Sequence, residues 1–108
     1  MSRNRVVDAV GGLHVSGSGA RVERNVSLRI HYTGLVVSDA QAIVARNRSD
    51  ESVEGSGIEI FRPGTTLTRN RADRNAEYGI YAVPGTIDGG GNRAKSNGLA
   101  DCLNVGCK

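Results

Sequence analysis

The chain has 108 residues, a formal net charge of +3, only 4% aromatic side chains and no Trp. Those figures bound it to one small domain with a core of Val, Ile, Leu and Ala, since a chain of this size buries roughly two-thirds of its unfolded surface. Arginines are spread throughout without interleaved aromatics, which argues against a nucleic-acid surface, and no run approaches the ~20 apolar residues of a membrane span.

The first five residues, Met1-Ser2-Arg3-Asn4-Arg5, do not lead into the apolar core of a signal peptide. Residues 1–11, with Val6-Val7-Asp8-Ala9-Val10, are expected to form a partial first coil. From residue 12 a phrase repeats. Gly12-Leu13-His14-Val15 leads to Arg24-Asn25, Gly34-Leu35-Val36-Val37 to Arg46-Asn47, and Gly57-Ile58-Glu59-Ile60 to Arg69-Asn70. A fourth copy, Gly79-Ile80-Tyr81-Ala82, reaches Asn92. Glycines and asparagines both step by 22, 23 and 22 residues. A fixed period in this range marks a solenoid, in which each repeat rests on its neighbours. Glycine recurring at one phase suggests a backbone turn needed in every coil.

Within residues 12–97 each coil carries three short apolar stretches. Leu13/Val15, Leu35/Val37, Ile58/Ile60 and Ile80/Ala82 are two apart and so share one face of a strand. Ala20/Val22, Ala42/Val44, Thr65/Leu67 and Ile87/Gly89 repeat the pattern on a second strand. Ser27, Ser49, Ala72 and Ala94 supply small residues for a third, tightly packed face. Three β-rich strands per turn predict an all-β parallel β-helix of about four coils of 22–23 residues. Turns are expected at Ser16-Gly17-Ser18-Gly19, Arg62-Pro63-Gly64 and Pro84-Gly85, and a bend at Gly89-Gly90-Gly91.

Asn25, Asn47, Asn70 and Asn92 share a phase, so they stack about 4.8 Å apart as an internal amide ladder. Asn25-Val26-Ser27 and Asn47-Arg48-Ser49 match the glycan acceptor pattern. A ladder asparagine faces inward, so neither is expected to be modified. After Asn92 the pattern dissolves into a terminating loop, and residues 98–108 form a tail holding Cys102 and Cys107. Two thiols are half of a zinc site, and neither His14 nor His31 stands near them, so no metal is expected. The pair is either two reduced thiols or a small disulfide loop pinning the last turn; the disulfide, which implies an oxidising compartment, is the expectation adopted.

The Gly-Ile-x-Ile…Asn phrase resembles the repeats of right-handed parallel β-helix proteins, the pectate-lyase-like superfamily. The closing stretch Thr86-Ile87-Asp88-Gly89-Gly90-Gly91-Asn92-Arg93-Ala94, with Asn97-Gly98 and the two cysteines, is similar to the C-terminal end of secreted bacterial members. The resemblance implies an extracellular or cell-surface protein, of which this chain supplies C-terminal coils; an uncapped first coil would leave edges open to self-association. It says little of activity, because the family spans lyases, hydrolases and proteins with no known activity. None of the family's catalytic residues carries over: there is no close Asp-Asp pair in sequence, and the two histidines fall at different phases of the repeat. No cofactor is implied.

The repeat register offers two surface candidates. Asp50 and Asp73 fall at one phase in adjacent coils, in the column Leu28, Asp50, Asp73, Lys95. Carboxyls about 5 Å apart suit a retaining glycosidase; the plainer reading is a solvated charge ladder beside the column Arg29, Glu51, Arg74, Ser96. The second candidate is a double row of arginines: Arg24, Arg46 and Arg69 just before the asparagine ladder, Arg48, Arg71 and Arg93 just after it. Stacked, they would grip carboxylates or sulfates of an acidic polysaccharide; the plainer reading has Glu23, Asp50, Glu51 and Asp73 neutralising them. Phe61, Tyr78 and Tyr81 are candidates to stack on sugar rings; the plainer reading has Tyr78 and Tyr81 covering the last coils. The expected function is a structural or carbohydrate-contacting module without a catalytic site, the alternative a polysaccharide lyase or glycoside hydrolase working through Asp50 and Asp73.

Overall fold

A computed structural model describes residues 2–17, 19–39 and 41–107. Of the first-coil turn expected at Ser16-Gly17-Ser18-Gly19, Ser16 and Gly17 instead end a strand, and Ser18 lies outside the described residues, as do Met1, Ala40 and Lys108. The chain winds as a parallel β-solenoid of about four turns, with no helix among the described residues. One sheet stacks β2 (Leu13–Gly17), β5 (Leu35–Asp39), β8 (Ile58–Ile60), β11 (Tyr78–Ala82) and β14 (Ala100–Leu103). A second stacks β3 (Arg21–Glu23), β6 (Ile43–Ala45), β9 (Thr66–Thr68) and β12 (Ile87–Gly90). The third stacks β1 (Arg5–Val7), β4 (Val26–Leu28), β7 (Arg48–Asp50), β10 (Arg71–Asp73) and β13 (Arg93–Lys95). Strand β14 continues the first sheet by pairing with β11, in a stretch where the repeat phrase is no longer readable.

Inward columns follow the repeat. Leu35, Val37, Ile58, Ile60, Ile80 and Ala82 are buried on the first sheet, and Val22, Val44 and Leu67 on the second. On the third, Ser27 and Ser49 stay inside because their hydroxyls donate to the carbonyls of Gly34 (2.9 Å) and Gly57 (2.7 Å); Ala72 and Ala94 need no partner.

Both bends around the third sheet are made by residues in the left-handed region, and apart from Gly91 before the last strand (φ 74°) those residues are not glycines. Arg24, Arg46 and Arg69 have φ of 54°, 56° and 54°, and beyond the third sheet Arg29, Glu51, Arg74 and Ser96 have 52°, 62°, 54° and 60°. The repeated Gly12, Gly34, Gly57 and Gly79 show no such φ; what they provide is space, since a Cβ on any of them would strike an adjacent coil. The expected turn role of these glycines is therefore corrected. They are positions where the packing leaves no room for a Cβ.

The asparagine ladder is continuous. Asn25 donates its backbone N–H (2.9 Å) and side-chain amide (3.0 Å) to Asn47 Oδ1; Asn47 does the same to Asn70 (3.0 and 3.0 Å), and Asn70 to Asn92 (3.1 and 3.1 Å). All four side chains are buried, which leaves no room for a glycan on Asn25 or Asn47.

The fourth coil departs from the expected register. Ile87 lies opposite Thr66 and Asp88 opposite Leu67, with an irregularity before Gly90, so Ile87 faces solvent and Gly89 does not occupy the inward column. The physical reason is that β12 is an edge strand. At its core phase stands Asp88, whose carboxylate closes the end of the coil by accepting the N–H groups of Gly106 (2.9 Å) and Gly90 (2.9 Å). Those two donors, Gly106 first, hold the Asp88 carboxyl below its usual range. A depressed pKa contributes stability above the unfolded value, about 3.9, and that stability is lost as pH falls through the folded value. Amide-exchange protection at Gly106 is therefore expected to hold at neutral pH and to fall below about pH 4, and Asp88→Asn to abolish that pH dependence. Unchanged protection in strong acid would contradict it. Cys102 and Cys107 form a disulfide with Cα atoms 6.1 Å apart, in the segment that Asp88 anchors.

Candidate functional site

The third sheet and the corner before it carry the charged candidates. Asp50 and Asp73 do lie in adjacent coils, and the Asp73 backbone N–H donates to Asp50 Oδ1 at 2.9 Å. Their other contacts come from their own strands: Arg48 Nε reaches Asp50 Oδ2 at 2.6 Å and Arg71 Nε reaches Asp73 Oδ2 at 2.7 Å. Residues i and i+2 of a strand share a face, so Arg-x-Asp folds the guanidinium over the carboxylate. The Asp50 side chain is 0% exposed and that of Asp73 9%. Asp73, and behind it Asp50, raise the Arg71 pKa further above its ordinary value. Both carboxylates are placed to hold arginines and a backbone amide, with little surface left to meet a substrate. Asp50→Asn keeps an acceptor for the Asp73 N–H and loses the charge facing Arg48, so urea denaturation is expected to show a cost of about 1 kcal/mol. If the parent cleaves uronate polymers, loss of that cleavage in folded Asp50→Asn and Asp73→Asn variants would instead assign the pair to chemistry.

The neighbouring column is an exposed ion-pair chain. Asp8 meets Arg29 at 2.6 Å, Arg29 meets Glu51 at 4.0 Å and Glu51 meets Arg74 at 3.5 Å. The hydrogen bond from Arg29 lowers the Asp8 pKa, and that contact raises the Arg29 pKa. Glu23 is taken by Arg21 at 2.7 Å. Each acid expected to neutralise the arginine rows is thus engaged elsewhere or matched to a single arginine.

The two rows then differ. Arg48, Arg71 and Arg93 lie in register on β7, β10 and β13, with the first two ion-paired. Arg24, Arg46 and Arg69 are exposed at the left-handed corner and form no ion pair among the described residues. In the fourth coil the partner phase holds Lys95 instead of aspartate, opposite Asp73. There, Arg71, Asp73, Arg93 and Lys95 line an open cavity of about 220 Å³. One carboxylate, already bound to Arg71, faces three cations. The electrostatics favour an anion.

Comparison of the chain with protein-family models, with curated proteins and with solved structures finds no match. No group of His, Cys, Asp and Glu among the described residues could hold a metal ion, and no helix there is long and apolar enough to cross a membrane.

Two features escaped the sequence reading. A second amide ladder runs beside the first: Ser52 N–H donates to Asn75 Oδ1 (3.0 Å), Asn75 N–H to Asn97 Oδ1 (2.8 Å), and Asn97 Nδ2 to Asp101 Oδ1 (3.0 Å). Its signal was present, since Asn75 and Asn97 are 22 residues apart. The other is the cavity, whose trace in the sequence is Arg93-Ala94-Lys95 where the two preceding coils read Arg-x-Asp.

Proposed function

We propose that this chain is a rigid, non-catalytic solenoid module that contacts acidic polysaccharide through its arginine corner, as part of a larger exported protein of the right-handed, pectate-lyase-like kind. The single observation that carries the reading is the row Arg24, Arg46 and Arg69, exposed and without ion-pair partners among the described residues, one in each of the first three coils and flanked at its far end by the Arg93/Lys95 cavity. Guanidinium groups about 4.8 Å apart along a rigid axis offer a periodic array for carboxylates or sulfates. The left-handed backbone fixes where each side chain leaves the corner. The disulfide supports an oxidising, extracellular or cell-surface setting. The engaged state of Asp50 and Asp73 supports binding without turnover.

The test is retention on immobilised pectate, alginate and heparin across a salt gradient. Salt-sensitive retention on at least one polymer is expected, shifted to lower salt in an Arg24→Gln, Arg46→Gln, Arg69→Gln variant, because exposed charge pairs are screened by added ions. No retention on any of the three at low ionic strength would sink the proposal.

A further inference from the structure

Three of the chain's four Phe and Tyr residues gather in one groove, away from the arginine corner. Phe61, Tyr78 and Tyr81, with Glu59, Glu77 and Ser56, line an open depression of about 170 Å³ on the outer face of the first sheet. Its arrangement follows from register. Tyr81 on β11 lies directly opposite Glu59 on β8, and Tyr78 enters three residues earlier on β11. The rings form a cluster: Tyr78 and Tyr81 have centroids 5.4 Å apart at 59°, and Phe61 and Tyr81 6.2 Å apart at 53°. These are tilted contacts between rings that all line the groove.

Its charge is the informative feature. Two carboxylates line the groove and neither Lys nor Arg does. Glu59 is held in place by Thr33, whose hydroxyl donates to Oε1 at 2.8 Å. Gly55 lets Thr33 approach, since a Cβ there would lie 2.8 Å from the Thr33 N and Oγ1. Glu77 has no side-chain partner among the described residues. An acidic sugar would be repelled by both carboxylates, so this groove and the arginine corner take opposite ligands. Aromatic faces beside carboxylates attract a cation carried on an apolar frame: the rings through their negative faces, the carboxylates through charge.

We infer that the Phe61/Tyr78/Tyr81 groove binds an organic ammonium group, with the rings packing against its carbon frame and Glu59 and Glu77 facing its charge. The chemistry is shared by quaternary ammonium heads and protonated amino sugars. It does not depend on the polyanion reading, because no residue is common to the two sites.

The experiment is titration of the intact chain with choline and with glucosamine, followed by tyrosine fluorescence, there being no Trp to mask it, and by calorimetry. Each probe is matched by a neutral control: 3,3-dimethylbutanol, the carbon isostere of choline, and N-acetylglucosamine. Saturable binding of choline, glucosamine or both is expected, with each neutral control weaker by about tenfold. Choline alone would assign the groove to quaternary heads, glucosamine alone to amino sugars. A Glu59→Gln, Glu77→Gln variant is expected to lose about tenfold in affinity for the cation and to leave the neutral controls unchanged. The inference is overturned if neither cation saturates, or if the neutral controls bind equally well. Because that comparison needs only the parent chain, it stands even where the double variant fails to fold.

Discussion

Asn70→Ala is expected to lower the unfolding free energy by about 3–4 kcal/mol, a large share of the roughly 5–15 kcal/mol that a domain of this size has. Asn70 Oδ1 is the acceptor for the Asn47 backbone N–H and side-chain amide, and Asn70 Nδ2 donates to the Val44 carbonyl at 2.8 Å and to Asn92 Oδ1. Truncation leaves the Asn47 N–H buried with no acceptor, and a buried donor without a partner costs about 1–3 kcal/mol by itself. The remaining loss comes from the side-chain bonds on either side. Thermal unfolding should shift downward on the order of 15–20 °C. Asn70→Asp should also destabilise, because it keeps the acceptor and turns a carboxylate oxygen towards the Val44 carbonyl. Asn47→Ala removes bonds from the same chain of contacts, so the double variant should cost less than the sum of the singles. A loss below about 1 kcal/mol for Asn70→Ala would show that the ladder is incidental to stability.

Gly57→Ala should be nearly as damaging, by about 3 kcal/mol, at a residue with no unusual backbone angle. The added Cβ would lie 2.6 Å from Asn75 Nδ2 and 2.8 Å from the carbonyl oxygens of both Gly79 and Ser49. The two oxygens belong to the backbone of neighbouring segments and cannot rotate aside. Asn75 Nδ2 is itself bonded to the Ser49 carbonyl at 3.0 Å, so the intrusion also disturbs the second ladder. Gly11 supplies the contrast. It has no positive φ, and an added methyl group would meet nothing within 4 Å, so Gly11→Ala should be neutral or slightly stabilising through the unfolded chain. Urea midpoints at unchanged m-value would measure both. Equal midpoints for the two variants would refute the account of Gly57 as a contact glycine.

These two cases show what was legible and what was not. The phase of Asn70 was visible as a step of 22 or 23 residues, and the role followed because buried amides stacked at one coil spacing lie within hydrogen-bond reach of one another. The phase of Gly57 was equally visible, but its reason was misjudged. A recurrent glycine signals either a backbone angle or a shortage of volume, and the two look alike in sequence. The angle went instead to Arg24, Arg46 and Arg69, where the following asparagine secures a left-handed bend that costs a non-glycine residue about 1–2 kcal/mol. The inward pattern failed at Ile87 and Gly89 because β12 has one neighbour, and an edge strand can slip to set an exposed Asp88 opposite Leu67.

For the charged surface, Asp50 and Asp73 could be placed in adjacent coils, yet only the folded chain shows Arg48 and Arg71 turned back over them. Nor could a linear pattern bring Phe61, Glu77 and Tyr81 into one groove, since that depends on how the segments after β8 and before β11 lie against the sheet. By itself the sequence determined the coil height, the inward columns outside β12 and the first amide ladder, because a strict period leaves each residue above its own equivalent. Only the tertiary structure decided which carboxylate each cation meets and where the surface opens, because those outcomes depend on side-chain directions and on the few ångströms between coils.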